Sequence, residues 1–178
     1  MLSVREITSN DVELLLDYWY SRSEYQLNIM GADIKRMQPR SIFKANLESQ
    51  LIQNYKEKQN FACIWLDNNI PIGHNNLNNI YFGNHAVMHF HIWNSKKRNS
   101  GLGHRLLQLS IPIFFKLFEL DKIICEPYAL NPAPNKTMKK LGFKFDKKYN
   151  TIPGTINFEQ EVNRWILKKE ELKLKNWT

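Results

Sequence analysis

The spacing of apolar residues changes along this chain, and each change marks an element. Val4 and Ile7 among polar neighbours predict a first strand over 3–8. Ser9 or Asn10 can cap a helix from Asp11 to about Tyr20, with Leu14, Leu15, Tyr18 and Trp19 at helical spacing. Residues 21–39, containing Met30-Gly31 and Pro39, read as a long irregular connection, of the kind that is functional or mobile in a compact domain. A second helix over 41–55 carries Ile42, Phe43, Leu47, Leu51 and Ile52. The pattern then turns to strands over 60–66 and 70–78, joined at Asp67-Asn68-Asn69, and over 86–93, after the turn Phe82-Gly83-Asn84. A helix from Gly103 towards Phe118 presents Leu106, Leu107, Ile113, Phe114, Leu117 and Phe118 to a sheet, and Pro112 predicts a kink or an early break in it. A strand over 122–126, a short helix over 134–141 closed by Gly142, and strands over 143–149 and 161–168 complete the chain.

At 178 residues the length suits one domain spanning 1–178. No apolar run approaches the roughly 20 residues of a membrane span, and Met1-Leu2-Ser3-Val4-Arg5-Glu6 lacks the basic-then-apolar pattern of an export signal. Cys63 and Cys125 sit inside apolar strand segments rather than in a disulfide framework, so a reducing cytoplasm is the expected home. The net charge of +8 favours an acidic partner. Its lysines and arginines gather at 96–98, at 136–148 and at the C-terminal Lys168, Lys169, Lys173 and Lys175. No zinc-finger spacing or aromatic RNA motif directs that charge to nucleic acid, and no metal site is expected.

The chemistry gathers where the strand over 86–93 meets the next helix. Lys97-Arg98-Asn99-Ser100-Gly101-Leu102-Gly103-His104 forms a basic turn with two glycines. A helix N-terminus leaves its first N–H groups unpaired and positively polarised, and residues without a Cβ let an anion approach them. A diphosphate is the natural occupant. The dinucleotide pattern G-x-G-x-x-G and the triphosphatase pattern G-x-x-x-x-G-K-[ST] are both absent. What stands here is R-x-x-G-x-G, Arg98 to Gly103, and it resembles the pyrophosphate signature of the GNAT superfamily of acetyl-CoA-dependent N-acetyltransferases. Ile123 to Phe143, a strand, an Asn and a short helix ending in Lys-Leu-Gly-Phe, resembles the second signature of that family.

The resemblance implies a mixed α/β fold: a largely antiparallel sheet with helices on both faces and one splayed parallel pair, here 89–93 and 122–128. It implies acetyl-CoA as co-substrate, with its diphosphate on residues 97–104. Its pantetheine arm would pair with backbone groups of His91, Ile92 and Trp93 and with the side chains of Asn131 and Asn135. An oxyanion donor is expected near Ile92 or Trp93. Asn131 and Asn135 also admit plainer readings, as a helix cap and as a surface residue.

Acetyl transfer to an amine needs a general base. His89 and His91, two apart on a strand, share a face and resemble a histidine pair of the serotonin N-acetyltransferase branch; Glu126 competes for the role. Pro134 stands where the family often has a Ser, and 135–141 contains no Tyr, which leaves Tyr128 as the nearest phenol to serve as acid. The acceptor, an amine on a small molecule or a protein, would lie against residues 21–39 and 150–160. There Glu24, Asp33, Glu159 and Glu161 offer charge, and Tyr25, Met30, Met37 and Phe158 offer apolar contact. A non-catalytic coenzyme A sensor of the same fold and a basic nucleic-acid module are the competing readings, and either a monomer or a homodimer fits.

Overall fold

The structure is a computed structural model that describes residues 1–98, 100–173 and 177. Asn99, in the basic turn, and Lys175, in the C-terminal lysine cluster, lie outside the described residues. Seven strands form one sheet: β1 (Leu2–Glu6), β2 (Asn60–Asp67), β3 (Ile70–Tyr81), β4 (His85–Ile92), β5 (Lys122–Cys125), β6 (Lys144–Thr151) and β7 (Gln160–Lys168), in the spatial order β1-β2-β3-β4-β5-β7-β6. Every pair is antiparallel except β4 with β5. The parallel pairing covers only His85↔Lys122, Ala86↔Ile123 and Val87↔Ile124. Beyond Val87, β4 runs on to Ile92 beside β3 alone, so the sheet splits at its centre.

The helices are α1 (Val12–Tyr20), α2 (Glu24–Ile29), α3 (Arg40–Ile52), α4 (Leu102–Leu117), α5 (Pro132–Leu141) and α6 (Lys169–Lys173). α4 covers one face of the sheet, burying Leu106, Leu107, Ile111, Phe114 and Phe115 against Phe61, Cys63, Trp65, Leu77 and Met88. On the opposite face Leu15 of α1 packs with Ile64 and Leu66, flanked by Leu47 of α3 and Trp93. Asp11, almost wholly buried ahead of α1, takes a two-pronged ion pair from Arg5 at 2.6 and 2.8 Å, which ties the first strand to the first helix.

The turn between β2 and β3 is Asn68-Asn69, both with positive φ (50° and 64°), the conformation that a two-residue hairpin requires and that Asn tolerates. Two expectations are corrected. Residues 21–39 are not irregular throughout. Ser23 accepts from the Gln26 N–H and starts α2, and Asp33 accepts from the Lys35 N–H at a single 3-10 turn, Ile34–Arg36. Pro112 does not end α4, which continues five residues past it to Leu117. An internal Pro costs ~3 kcal/mol. Burying Phe114, Phe115 and Phe118 beyond it contributes roughly 1.5–3 kcal/mol each, which is enough to keep the helix intact.

Candidate functional site

Two features meet at β4: a set of free amides at one end of the split, and a cavity on the face opposite α4. The amides come from the start of α4. Gly101 is the N-cap of that helix in the left-handed region (φ 80°, ψ −4°), it brings no side chain to cap it, and a Cβ built on it would meet nothing among the described residues within 4 Å. The first helical bond is made by the Arg105 N–H to the Gly101 carbonyl at 3.2 Å. The N–H groups of Leu102, Gly103 and His104 therefore have no acceptor within the helix. Gly103 is not in the left-handed region, and a Cβ there would touch Ile92 Cδ1 at 3.7 Å, an ordinary contact. Of the two glycines, only Gly101 is required by its conformation.

The charges around these amides are arranged differently from expectation. Lys97 turns to Asp67, 3.0 Å away, and Arg98 donates from Nε and Nη2 to the Ile92 carbonyl at 3.2 and 3.0 Å. The Ser100 hydroxyl donates to the Lys97 carbonyl and closes the turn. Lys140 of α5 lies near enough to His104 for its charge to be felt there. Burial of His104, together with that nearby ammonium, holds its imidazole below the usual range.

Within the split, the peptide groups that face outward differ from those expected. The Trp93 N–H donates to Ile72 on β3 at 2.9 Å, the Trp93 carbonyl accepts from Arg22 Nη2 at 3.1 Å, and the His91 carbonyl crowds Gly73 of β3. Both residues thus spend their main-chain groups on their own side of the sheet. By the alternation of a strand, Phe90 and Ile92 turn theirs towards the gap. The Ile92 peptide group thus faces the gap, with its carbonyl accepting from Arg98, and those of His91 and Trp93 do not.

Asn135 is also corrected. Its Nδ2 donates to the Tyr128 carbonyl at 3.1 Å and the Asn131 carbonyl at 2.8 Å, while its Oδ1 accepts from Asn163 Nδ2 and Trp165 Nε1, both at 2.9 Å. Two donors and two lone pairs are all used, so nothing of this amide is left for a ligand, and it locks α5 to β7. Asn135→Ala should lower stability by about 2 kcal/mol, because it leaves Asn163 and Trp165 unpaired, and urea unfolding measures this. Asn131 stands at the N-cap of α5, yet its side chain makes no capping bond. Glu126 accepts from the Tyr149 hydroxyl at 2.5 Å and lies 3.6 Å from Arg164 Nε. That carboxylate is outside the cavity described next. Tyr128 follows β5 as an isolated bridge to Val162, with its ring edge-on to Phe158.

The cavity, of about 700 Å³, has the faces of β2, β3 and β4 as its floor, α1 and α3 as walls, and residues 153–157 as a rim. The segments at 31–33 and 154–160 are joined there: Asp33 N–H to the Ile156 carbonyl, and the side chains of Asn157 and Gln160 to the Gly31 carbonyl, each at 2.8 Å. His89 and His91 both open onto this space. So does His74 of β3, which the sequence reading missed. It lies directly across from His91, with ring centroids 5.0 Å apart. Its signal was the run His74-x-Asn76-x-Asn78, polar residues at strand period inside an otherwise apolar sheet.

The three imidazoles are neutral at physiological pH. His74 is almost fully buried and accepts from Trp93 Nε1–H at 2.8 Å, which places its own proton on Nε2. Burial, aided by His89 nearby, pushes it down to about 3. Burial takes His89 to about 4, and its Nε2 has no hydrogen-bond partner among the described residues. His91 Nδ1 is hydrogen-bonded to the Tyr18 hydroxyl at 3.1 Å; burial, then the fields of His74, His89, Arg98 and Arg22, hold it well below its usual value. The unfolded chain, with imidazoles near 6.5, binds these protons more readily than the folded one. Stability is therefore full above pH 6.5 and declines as pH falls towards 4, by on the order of a few kcal/mol. Thermal melts between pH 7 and pH 4.5 should show a falling Tm, and a flat profile would contradict neutral burial.

Residues 2–144 match the profile of the acetyltransferase (GNAT) domain. The chain belongs to the GNAT family of acetyltransferases. No curated protein matches it significantly in sequence. Among solved structures, the aminoglycoside acetyltransferase AAC(6')-Ib in complex with coenzyme A superposes with a TM-score of 0.74 at 17% identity, covering 98% of this chain and 99% of that one. The spermidine N-acetyltransferase of Vibrio cholerae with CoA and spermine gives 0.75 at 16% identity, covering 97% and 98%. The ribosomal L7/L12 α-N-protein acetyltransferase RimL with coenzyme A gives 0.74 at 10% identity, covering 96% and 95%. At these identities the likeness is one of GNAT fold. Among the described residues no helix is long and apolar enough to cross a membrane, and no group of three or more His, Cys, Asp or Glu could hold a metal ion.

Proposed function

We propose that this GNAT protein moves an acetyl group from acetyl-CoA directly to a primary amine. The observation that carries this reading is the row of uncapped amides behind Gly101, opening beside a strand whose partner has peeled away. The diphosphate would take the N–H groups of Leu102, Gly103 and His104, with Lys140 supplying charge. The pantetheine arm would lie in the split as an added strand against Phe90 and Ile92, and Arg98 would have to release the Ile92 carbonyl for that acceptor to be used. Asn131 remains free to contact the arm.

The acceptor amine would enter from the cavity on the other face, because His89 and His91 belong to the same strand. An amine is protonated near pH 7 and attacks only after losing a proton. The Nε2 of His89, buried and without a partner among the described residues, is the ring nitrogen left to take it once the acceptor or a water reaches it, while His91 is held by Tyr18. The oxyanion of the tetrahedral intermediate would be met by an amide at the split, that of Phe90 or Ile92. The thiolate leaves with a proton from Tyr128 or from water. Glu126, engaged by Tyr149 and Arg164, is the weaker base.

The structural neighbours act on an aminoglycoside, on spermidine and on the N-terminus of a ribosomal protein, so an amine-bearing acceptor, small or protein-borne, is within reach of this fold. Titration calorimetry with coenzyme A, followed by thiol release from acetyl-CoA across an amine panel, tests the proposal. Binding with turnover supports it. Binding without turnover on any amine identifies a coenzyme A sensor instead, and no binding ends both.

A further inference from the structure

Granted the acyl-transfer reading above, we infer that the acceptor is a polyhydroxylated monoamine: an amino sugar whose single amine is its one ionisable group. Among the cavity's described lining residues only Glu6 and Lys58 carry charge. Both have partners within the protein: the Tyr55 hydroxyl donates to one oxygen of Glu6 at 2.8 Å, and the Lys58 ammonium donates to the Gln50 and Leu51 carbonyls at the end of α3. The carboxylates expected to draw in a cation are elsewhere. Glu161 pairs with Lys148 at 2.6 Å, Asp33 caps the turn at Lys35, and neither Glu24 nor Glu159 lines the cavity. A polyamine or polycationic antibiotic entering here would lose hydration on several ammonium groups with only the Glu6 carboxylate to meet them, at a cost of several kcal/mol for each ion left unpaired.

What the cavity offers instead is amides. Asn60, Asn76 and Asn78 stand side by side across β2 and β3, Asn76 donating to Asn78 at 2.7 Å. Asn46 donates to Gln38 at 3.0 Å on the helical wall, and Gln53 Oε1 is buried without a partner. Each such side chain presents a carbonyl and an NH₂ group, and each sugar hydroxyl is both donor and acceptor, so adjacent hydroxyls satisfy paired amides without any net charge. Trp19, Tyr20 and Phe43 add ring surface to the same wall, suited to the C–H face of a pyranose. The volume holds a mono- or disaccharide.

A peptide N-terminus fits less well. Peptides bind sheets by adding to a free edge, whereas the floor here is the face of three strands, with β2 and β3 each paired on both sides.

The test is a comparison of kcat/KM, by thiol release from acetyl-CoA, for glucosamine, galactosamine and mannosamine against spermidine, kanamycin and the dipeptide Ala-Ala. At least one hexosamine should exceed all three competitors by tenfold or more. Asn76→Leu should raise KM for that sugar about tenfold while coenzyme A binding, followed by calorimetry, stays unchanged. Preference for spermidine, kanamycin or the dipeptide, or coenzyme A binding with no hexosamine turned over, overturns the acceptor assignment alone. Failure to bind coenzyme A overturns the acyl-transfer reading beneath it.

Discussion

Gly101→Val is expected to weaken coenzyme A binding at least a hundredfold while the protein still folds. Gly101 sits at φ 80°, where an alanine costs about 1–2 kcal/mol and a β-branched residue more. That cost is local, because a side chain there would meet no atom of the described residues within 4 Å. The same space is where a diphosphate must come within about 2.9 Å of the amides of Leu102, Gly103 and His104. Holding it off weakens two or three charge-assisted hydrogen bonds worth roughly 1.5–3 kcal/mol each, and every 1.4 kcal/mol lost is tenfold in affinity. Gly83→Val is the control. Gly83 has φ 74° and equally open surroundings, but it lies in the β3–β4 turn, at the far end of β4 and roughly 25 Å of strand away. Both variants should lose similar stability, and only the first should lose heat of binding with coenzyme A. Equal binding by the two would show that the start of α4 is not an anion site.

The contrast between these glycines shows how far sequence alone could reach. Two glycines in a basic turn before an apolar helix announced free amides, because a glycine there has few other uses. The pattern did not say which of the two was conformationally required. Element order was equally legible, since strand and helix periods are local properties of the chain, as was the Asn68-Asn69 hairpin. Pro112 misled because its cost is local while the compensating burial of Phe114, Phe115 and Phe118 is tertiary. Asn135 misled for a related reason: its partners Asn163 and Trp165 are 28 and 30 residues away, on a strand whose register no local rule specifies. His74 went unnoticed because a histidine in a strand acquires meaning only from what lies across from it, here His91. The direction of the peptide groups on β4, which assigns Phe90 and Ile92 rather than His91 and Trp93 to the split, likewise depends on hydrogen-bond phase with β3. Residue type alone does not carry that phase.

The second large effect concerns the histidines. Replacing His89 and His91 together by glutamine should reduce kcat by roughly 10²–10⁴, the usual worth of a general base, and should leave the dissociation constant of coenzyme A within about twofold, since neither side chain points into the split. The pH dependence makes the expectation specific. A histidine of ordinary character would make the rate fall as pH drops through about 6.5. Burial takes His89 to about 4, so it remains neutral, and able to accept a proton, through the range from pH 7 to pH 5, and burial holds His91 well below its ordinary value as well. Any fall of kcat/KM in that window should then follow protonation of the acceptor amine rather than of the enzyme, and so should shift with the amine's own pKa when acceptors are exchanged. Single variants separate the two rings. His89→Gln removes the unpartnered Nε2 and should reproduce most of the loss. His91→Gln breaks the contact with Tyr18 and should act mainly on stability, lowering Tm with a smaller change in kcat. If kcat survives the double replacement, the proton leaves through water alone, and the low values of these histidines reflect nothing more than a dry wall for the acceptor.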